Sequence, residues 1–374
     1  MRIFLCFLIS IFVSGAMAQT SEKYNSVYAD YFRGEDLFLK SQYSAARAEF
    51  RNFLNDFQSE NDPLVIKARY YEGLSALNLF QNDGVDLLLA FNKDYPESVY
   101  RTDIYWKLGQ YYYQKKKYEE CINWLKLLTK SDVPEEDWDE FNFKYGYSYF
   151  TLEDYRKARN YFVEVKDSDS QYGLPSLYYF SHIEYSLGAY QTALSGFEKL
   201  AKDSRFSRVA PYYVAQIYYR QGRYEEVTNY GPQIADSIPK TYEKELQLIV
   251  GDAHFKMGNY EEAIPYLAKY NARSATTFAM DYQLGYAYFK TAQYEKAIPL
   301  LDKATKGKDQ LAQKGYYHIG EAYLRLENFS VARSAFEQAY SLGFDDKINE
   351  DALYQYAVLS YKLDNNPYNQ AVVA

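Results

Sequence analysis

The chain has little of what usually carries chemistry. Two cysteines, Cys6 and Cys121, and three histidines are spread over 374 residues, so neither a disulfide framework nor a histidine-rich metal site can be assembled from them. His182, His254 and His318 lack a partner at helical ligand spacing and read as ordinary helix residues. Positive charge is also in deficit. Against 50 Asp and Glu stand 42 Lys and Arg, a net charge of -8, which argues against a general electrostatic hold on nucleic acid. Apart from residues 3–13 there is no long apolar run, and a mean hydropathy of -0.51 argues against a polytopic membrane protein. No GxSxG, HExxH, CxxC or phosphate-binding glycine loop occurs, so no enzyme, metal or cofactor is expected.

What is present is an apolar fraction of 48% and an unusual store of rings, 45 Tyr and 23 Phe. The first 18 residues stand apart. Arg2 precedes an apolar run from Ile3 to Val13, and Ala16-Met17-Ala18 precedes Gln19, the order of a cleavable secretory leader over 1–18. The run is shorter than the roughly 20 residues needed to span a bilayer. Cys6 lies inside it rather than after a small-residue site, so no lipid attachment is expected. Loss of the leader removes Arg2, makes the net charge -9 and leaves Cys121 as the only cysteine, with no internal disulfide possible.

Self-similarity organises the rest. Small residues recur every 34 to 39 positions at Gly34, Gly73, Gly109, Gly146, Ser181, Ala215, Gly251, Gly285, Gly320 and Ala357. Nine positions after most of these anchors comes an aromatic, for example Tyr43, Tyr118, Tyr155 and Phe329. A smaller residue follows three further on (Ala46, Val85, Cys121, Ala332), and a bulky one four beyond that (Phe50, Leu89, Leu125, Phe336). Spacings of three and four keep residues on one helical face, so each repeat is expected to hold two helices joined by a turn, and the whole chain to be all-α. Two departures stand out. Asn82 replaces the turn aromatic of the second repeat, and Gly231-Pro232 falls inside a second helix, where it is expected to shorten or kink the helix and make a seam near 231–240. The last repeat reads YKLDNNPYNQAVVA and stops at Ala374 with its second helix hardly begun, as in a fragment of a longer chain.

Tyr316, Ile319, Gly320, Tyr323, Ala332 and Phe336 match the W-x2-L-G-x2-Y…A-x3-F pattern, and Tyr105, Leu108, Gly109, Tyr112, Cys121 and Leu125 match it nearly as well. On these residues the chain resembles the tetratricopeptide repeat (TPR) family. The resemblance implies a right-handed superhelical solenoid of about nine and a half repeats over 19–374, whose first helices build a concave groove. The segment FNKDYPESVY is similar to linkers in periplasmic TPR proteins of envelope assembly, such as the lipoproteins of outer-membrane β-barrel assembly. With the leader and the tyrosine content it points to a Bacteroidota-type periplasmic protein. The implied function is a non-catalytic scaffold holding periplasmic or outer-membrane proteins for envelope assembly or secretion, with no membrane span in the mature chain. Glycan capture on aromatic rings, reported by Trp106 fluorescence, is the reading from another class.

Two sets of residues are expected to face the groove. Three before or four after the anchors, or just beside them, come Trp106, Tyr113, Phe143, Tyr147, Phe150 and Tyr178, suited to an apolar or aromatic-bearing polypeptide segment. At about 100° per residue most stand only about 50° from the anchor face, so packing against the next repeat is the competing role. Tyr147 lies furthest from that face. Five after the later anchors come Arg220, Lys256, Lys290, Arg325 and Lys362, a basic ladder for an acidic segment or phosphate. Helix capping is the alternative, with Asp252–Lys256 and Glu321–Arg325 as ready pairs. DVPEEDWDE, Asp132 to Glu140, reads either as a contact for a basic partner or as acids favoured by a helix N-terminus.

Overall fold

The computed structural model describes residues 23–364 except 25, 58, 60, 273 and 274. The expected leader at 1–18 and residues 365–374 of the unfinished repeat lie outside the described residues. Among the described residues there are nineteen α-helices and no strand. The chain forms two compact units, Met1–Phe180 and Ser181–Ala374.

In the first unit α1 (Ala29–Leu39) packs on α2 (Tyr43–Asp56), α3 (Pro63–Asn78) on α4 (Gly84–Asp94), α5 (Arg101–Gln114) on α6 (Tyr118–Leu125) and α7 (Trp138–Thr151) on α8 (Tyr155–Val165). The boundary falls inside α9 (Gly173–Ser186), which is followed by α10 (Tyr190–Leu200). The second unit continues with α11 (Ala210–Arg220) on α12 (Tyr224–Ile234), α13 (Lys240–Lys256) on α14 (Tyr260–Asn271), α15 (Phe278–Lys290) on α16 (Tyr294–Ala304) and α17 (Gln310–Arg325) on α18 (Phe329–Leu342). A last helix, α19 (Asp346–Asp364), packs on α18. Nine pairs and one further helix agree with the nine and a half repeats expected.

The anchor glycines work as sockets. A Cβ on Gly109 would stand 2.3 Å from Cδ2 of Leu125, so only glycine lets α6 press its leucine onto α5. The same pairing, anchor to bulky residue sixteen later, seats the fully buried Phe50, Phe162 and Phe336. In the second repeat the register is one residue shorter: Leu88, at 0% exposure, fills the socket at Gly73, while Leu89, the residue expected there, is 39% exposed. Without a turn aromatic, α4 starts late at Gly84, whose backbone lies against Leu77.

Each turn between paired helices contains one residue in the left-handed region: Ser41, Phe80, Lys116 and Glu153 in the first unit, and Gly188, Gly222, Gly258, Ala292 and Glu327 in the second, with φ between 55° and 81°. They sit seven after their anchors, a regularity that the reading of aromatic and small positions did not pick up.

Pro232 does not shorten its helix. Helix α12 keeps eleven residues, as many as α8, α10 and α16, with the proline inside it. A single core cluster including Tyr212, Val227, Ile234, Ile238, Leu246 and Val250 runs across 231–240, so the packing shows no seam there. Gly231 explains the arrangement. A Cβ there would lie 2.4 Å from Cγ2 of Val250, so this position takes the close approach of α13 where other repeats place a bulky residue.

Candidate functional site

In the first unit five of the six expected aromatics meet. Tyr147, on α7, lies with its ring centroid 5.7 Å from Tyr113, 5.7 Å from Tyr118, 6.0 Å from Phe143 and 5.1 Å from Tyr179. Phe150 packs on Tyr155 at 5.4 Å and on Tyr179 at 4.9 Å, and Tyr178 meets Tyr179 edge-on at 5.3 Å. All eight rings are half-buried, so each keeps part of its surface in water. Tyr147 is therefore the hub of the cluster, not the freest residue of the stripe. Burial raises the phenols of Tyr113, Tyr118 and Tyr179, and neighbouring tyrosines add to it, so these hydroxyls stay protonated at neutral pH. Tyr118 and Tyr179 were not among the expected contacts. The first was visible only as a turn marker, and the second, two residues before Ser181, stands at an offset from the anchor outside the expected ones.

Trp106 is a correction. It is 1% exposed, its Nε1 donates to Oδ2 of Asp137 at 3.0 Å, and its ring packs 5.8 Å from Phe141 within a core that includes Leu128 and Val133. It can neither contact a ligand nor report one by stacking. The cause is the connection 126–137, which carries two short 3-10 turns, Lys130–Asp132 and Glu135–Asp137, and folds over the indole.

That connection also shapes a cavity of about 810 Å³ at the start of α7, lined by Lys130, Val133, Glu135, Glu136, Trp138, Asp139, Glu140, Ser170, Gln171 and Tyr172. Trp138 stacks on Phe141 at 5.4 Å, and Nζ of Lys130 stands 5.0 Å from the Trp138 ring. Asp139 accepts from the Ser168 hydroxyl. Glu140 accepts from Lys144 and, at 2.8 Å, from Gln110. Burial pushes the Glu140 carboxyl up, and Lys144, Gln110 and Tyr172 together more than offset it, leaving the acid below its ordinary range. Tyr172, whose phenol is pushed up to about 12 by burial and by Glu140, lines the cavity and packs 5.4 Å from Phe143. The cavity and the aromatic cluster are thus one continuous surface.

In the second unit all five ladder residues are exposed, but they are not equivalent. Lys256 lies 3.0 Å from Oδ2 of Asp252 and donates to Tyr219 at 3.1 Å, so its charge is compensated as the capping alternative expected. Arg220 is hydrogen-bonded to Tyr185. Lys290 stands about 6 Å from the rings of Tyr260 and Tyr286, and Lys362 lies 3.5 Å from the Phe329 centroid. The expected Glu321–Arg325 pair does not form. His318 Nδ1 takes Glu321 instead, at 2.7 Å. His318 is also no ordinary helix residue: its ring sits 4.8 Å from Tyr286, 5.2 Å from Phe289 and 6.1 Å from Tyr282, the centre of a second aromatic cluster. Among the described residues no group of three His, Cys, Asp or Glu could hold a metal ion, and no helix is long and apolar enough to cross a membrane.

The tetratricopeptide repeat family matches the chain at residues 102–132 and 139–172, and again at 250–313 and 282–352. The chain carries tetratricopeptide repeats over these residues. Such proteins are protein-interaction scaffolds, and their stacked pairs leave a binding surface made of successive first helices. No curated protein matches the TPR chain. Among solved structures it is similar to YrrB, described as a TPR protein with an unusual peptide-binding site, at 16% identity and a TM-score of 0.45, over 52% of this chain and 97% of that one. A TPR protein from Parabacteroides merdae is 15% identical with a TM-score of 0.40, over 78% and 98%. The C-terminal part of a TPR protein from Cytophaga hutchinsonii is 18% identical with a TM-score of 0.40, over 61% and 98%.

Proposed function

We propose that this TPR protein is a non-catalytic scaffold of the bacterial periplasm that holds an apolar or aromatic-bearing segment of a partner protein, in envelope assembly or secretion. The order of charge, apolar run and small-residue site at 1–18 supports export. The observation that carries the binding reading is the cluster around Tyr147, eight half-buried rings with part of each face left to water. Tyrosine presents a large, stiff, amphipathic surface at low entropic cost, and such anchors dominate polypeptide interfaces.

Titration calorimetry with short Phe- or Trp-bearing peptides on one side and soluble oligosaccharides on the other tests it. Peptide binding is expected, with Tyr147→Ala losing about 2 kcal/mol of affinity. Because Tyr147 is a hub, Phe150→Ala serves as the packing control, with Tm measured for both. Equal losses of affinity and Tm in the two variants would reduce the cluster to packing. Binding of oligosaccharides in place of peptides would turn the reading to glycan capture.

A further inference from the structure

The cavity beside Trp138 has a chemistry that the aromatic cluster does not use. We propose that it receives the cationic head of a partner's Lys or Arg side chain, while a neighbouring apolar residue of the same segment lies on the rings around Tyr147. This rests on the reading of that cluster as a polypeptide site and names what the polypeptide must carry.

Four observations converge. At about 810 Å³ the cavity has the size of a ligand pocket, far more than a single ion needs. Its lining holds four carboxylates, Glu135, Glu136, Asp139 and Glu140, against one cation, Lys130. Asp139 and Glu140 are engaged with Ser168, Lys144 and Gln110. Glu135 and Glu136 are exposed and make no hydrogen bond or ion pair with another described side chain, so their charge is available to an incoming group. The favour that a helix N-terminus shows to acids accounts for carboxylates at this place, but not for a hollow walled by an indole.

That indole is the third observation. Stacked on Phe141, Trp138 already carries the Lys130 ammonium 5.0 Å from its ring, so the wall takes a cation in the molecule itself. Lys130 in this arrangement is an internal competitor for the place. The fourth is continuity: Tyr172 lines the cavity and touches Phe143 of the cluster, so one extended segment reaches both. An aromatic wall with carboxylates at its rim selects ammonium or guanidinium over neutral side chains of equal length, and repels acidic segments.

The test uses the full chain and three labelled octapeptides in a Gly/Ser background, read by fluorescence anisotropy. One carries Phe and Lys two residues apart, the second Phe and norleucine, the third Ser and Lys. The Phe–Lys peptide is expected to bind about tenfold more tightly than the Phe–norleucine peptide, an increment the size of one partly desolvated cation–π and charge contact. The double variant Glu135→Gln, Glu136→Gln should cut that difference to about threefold or less at unchanged Tm, the remainder belonging to the Trp138 face. Lys130→Ala should raise the affinity of the Phe–Lys peptide about threefold by freeing the Trp138 face. Equal affinity of the Phe–Lys and Phe–norleucine peptides overturns the cation pocket and leaves the aromatic reading standing, as does a lysine preference undiminished in the double variant. Failure of both Phe peptides to bind overturns the aromatic reading itself.

Discussion

The two units are made of the same repeat yet centre their aromatic clusters on different chemistry. In the first, the hub is a phenol, Tyr147, ringed by four other aromatics beside an acidic cavity. In the second it is an imidazole, His318, held by Glu321 and packed against Tyr282, Tyr286 and Phe289, with Lys290 and Lys362 at the surface beside aromatic rings and in no ion pair among the described residues. All three histidines belong to the second unit. The difference teaches that a repeat dictates where a side chain stands and leaves its chemistry free. One scaffold can thereby carry two surfaces with different demands on a ligand.

The largest expected effect tests what the units share. Phe162 in the first and Phe336 in the second fill the same socket and are both fully buried. Truncation of either to alanine should cost about 3–5 kcal/mol, and hydrogen exchange should place the loss in the variant's own repeat and its neighbours, because repeats touch only those. A loss spread evenly over the whole chain from either variant would break the comparison at its root.

A smaller effect separates the units. Burial lowers the pKa of His182, which packs against Tyr213, and of His254, which packs on Tyr266 and is only partly supported by Glu262. The folded state therefore refuses protons that the unfolded chain accepts near pH 6.5, and stability in the second unit falls as pH drops through that value. The first unit has no histidine. Its Glu140, held below the ordinary carboxyl range, contributes stability above its unfolded pKa and loses it only as pH falls through about 4.5 and below. Between pH 7.5 and 5.5 hydrogen-exchange protection, corrected for the slower intrinsic exchange at lower pH, should fall in the second unit first. The opposite order would contradict the assignment.

The smallest effect concerns the turns. The first unit strains a side-chain-bearing residue at every left-handed turn position, whereas three of the five in the second are glycine. Phe80→Gly should be neutral or stabilising by up to about 1 kcal/mol, after discounting the Lys115 ammonium that sits 4.6 Å from its ring, whereas Gly222→Ala should cost about 1 kcal/mol. Thermal melts of the two variants give the signs directly.

Much of this was written in local order. The spacing of anchors, turn aromatics and bulky residues specified an all-α chain of about nine and a half two-helix repeats, because helical faces follow from period and each pair closes within one repeat. The local pattern did not carry decisions between groups distant along the chain. Leu88 rather than Leu89 faces the core because α4 starts late. Trp106 is buried because the connection 126–137 folds over it, and Glu321 takes His318 rather than Arg325. The cavity exists only where residues 130–140 meet 170–172. Periodicity states which side of a helix each residue occupies. Whether that side is covered, and by which partner, is set by what a neighbouring segment brings to it, and only the tertiary structure holds that information.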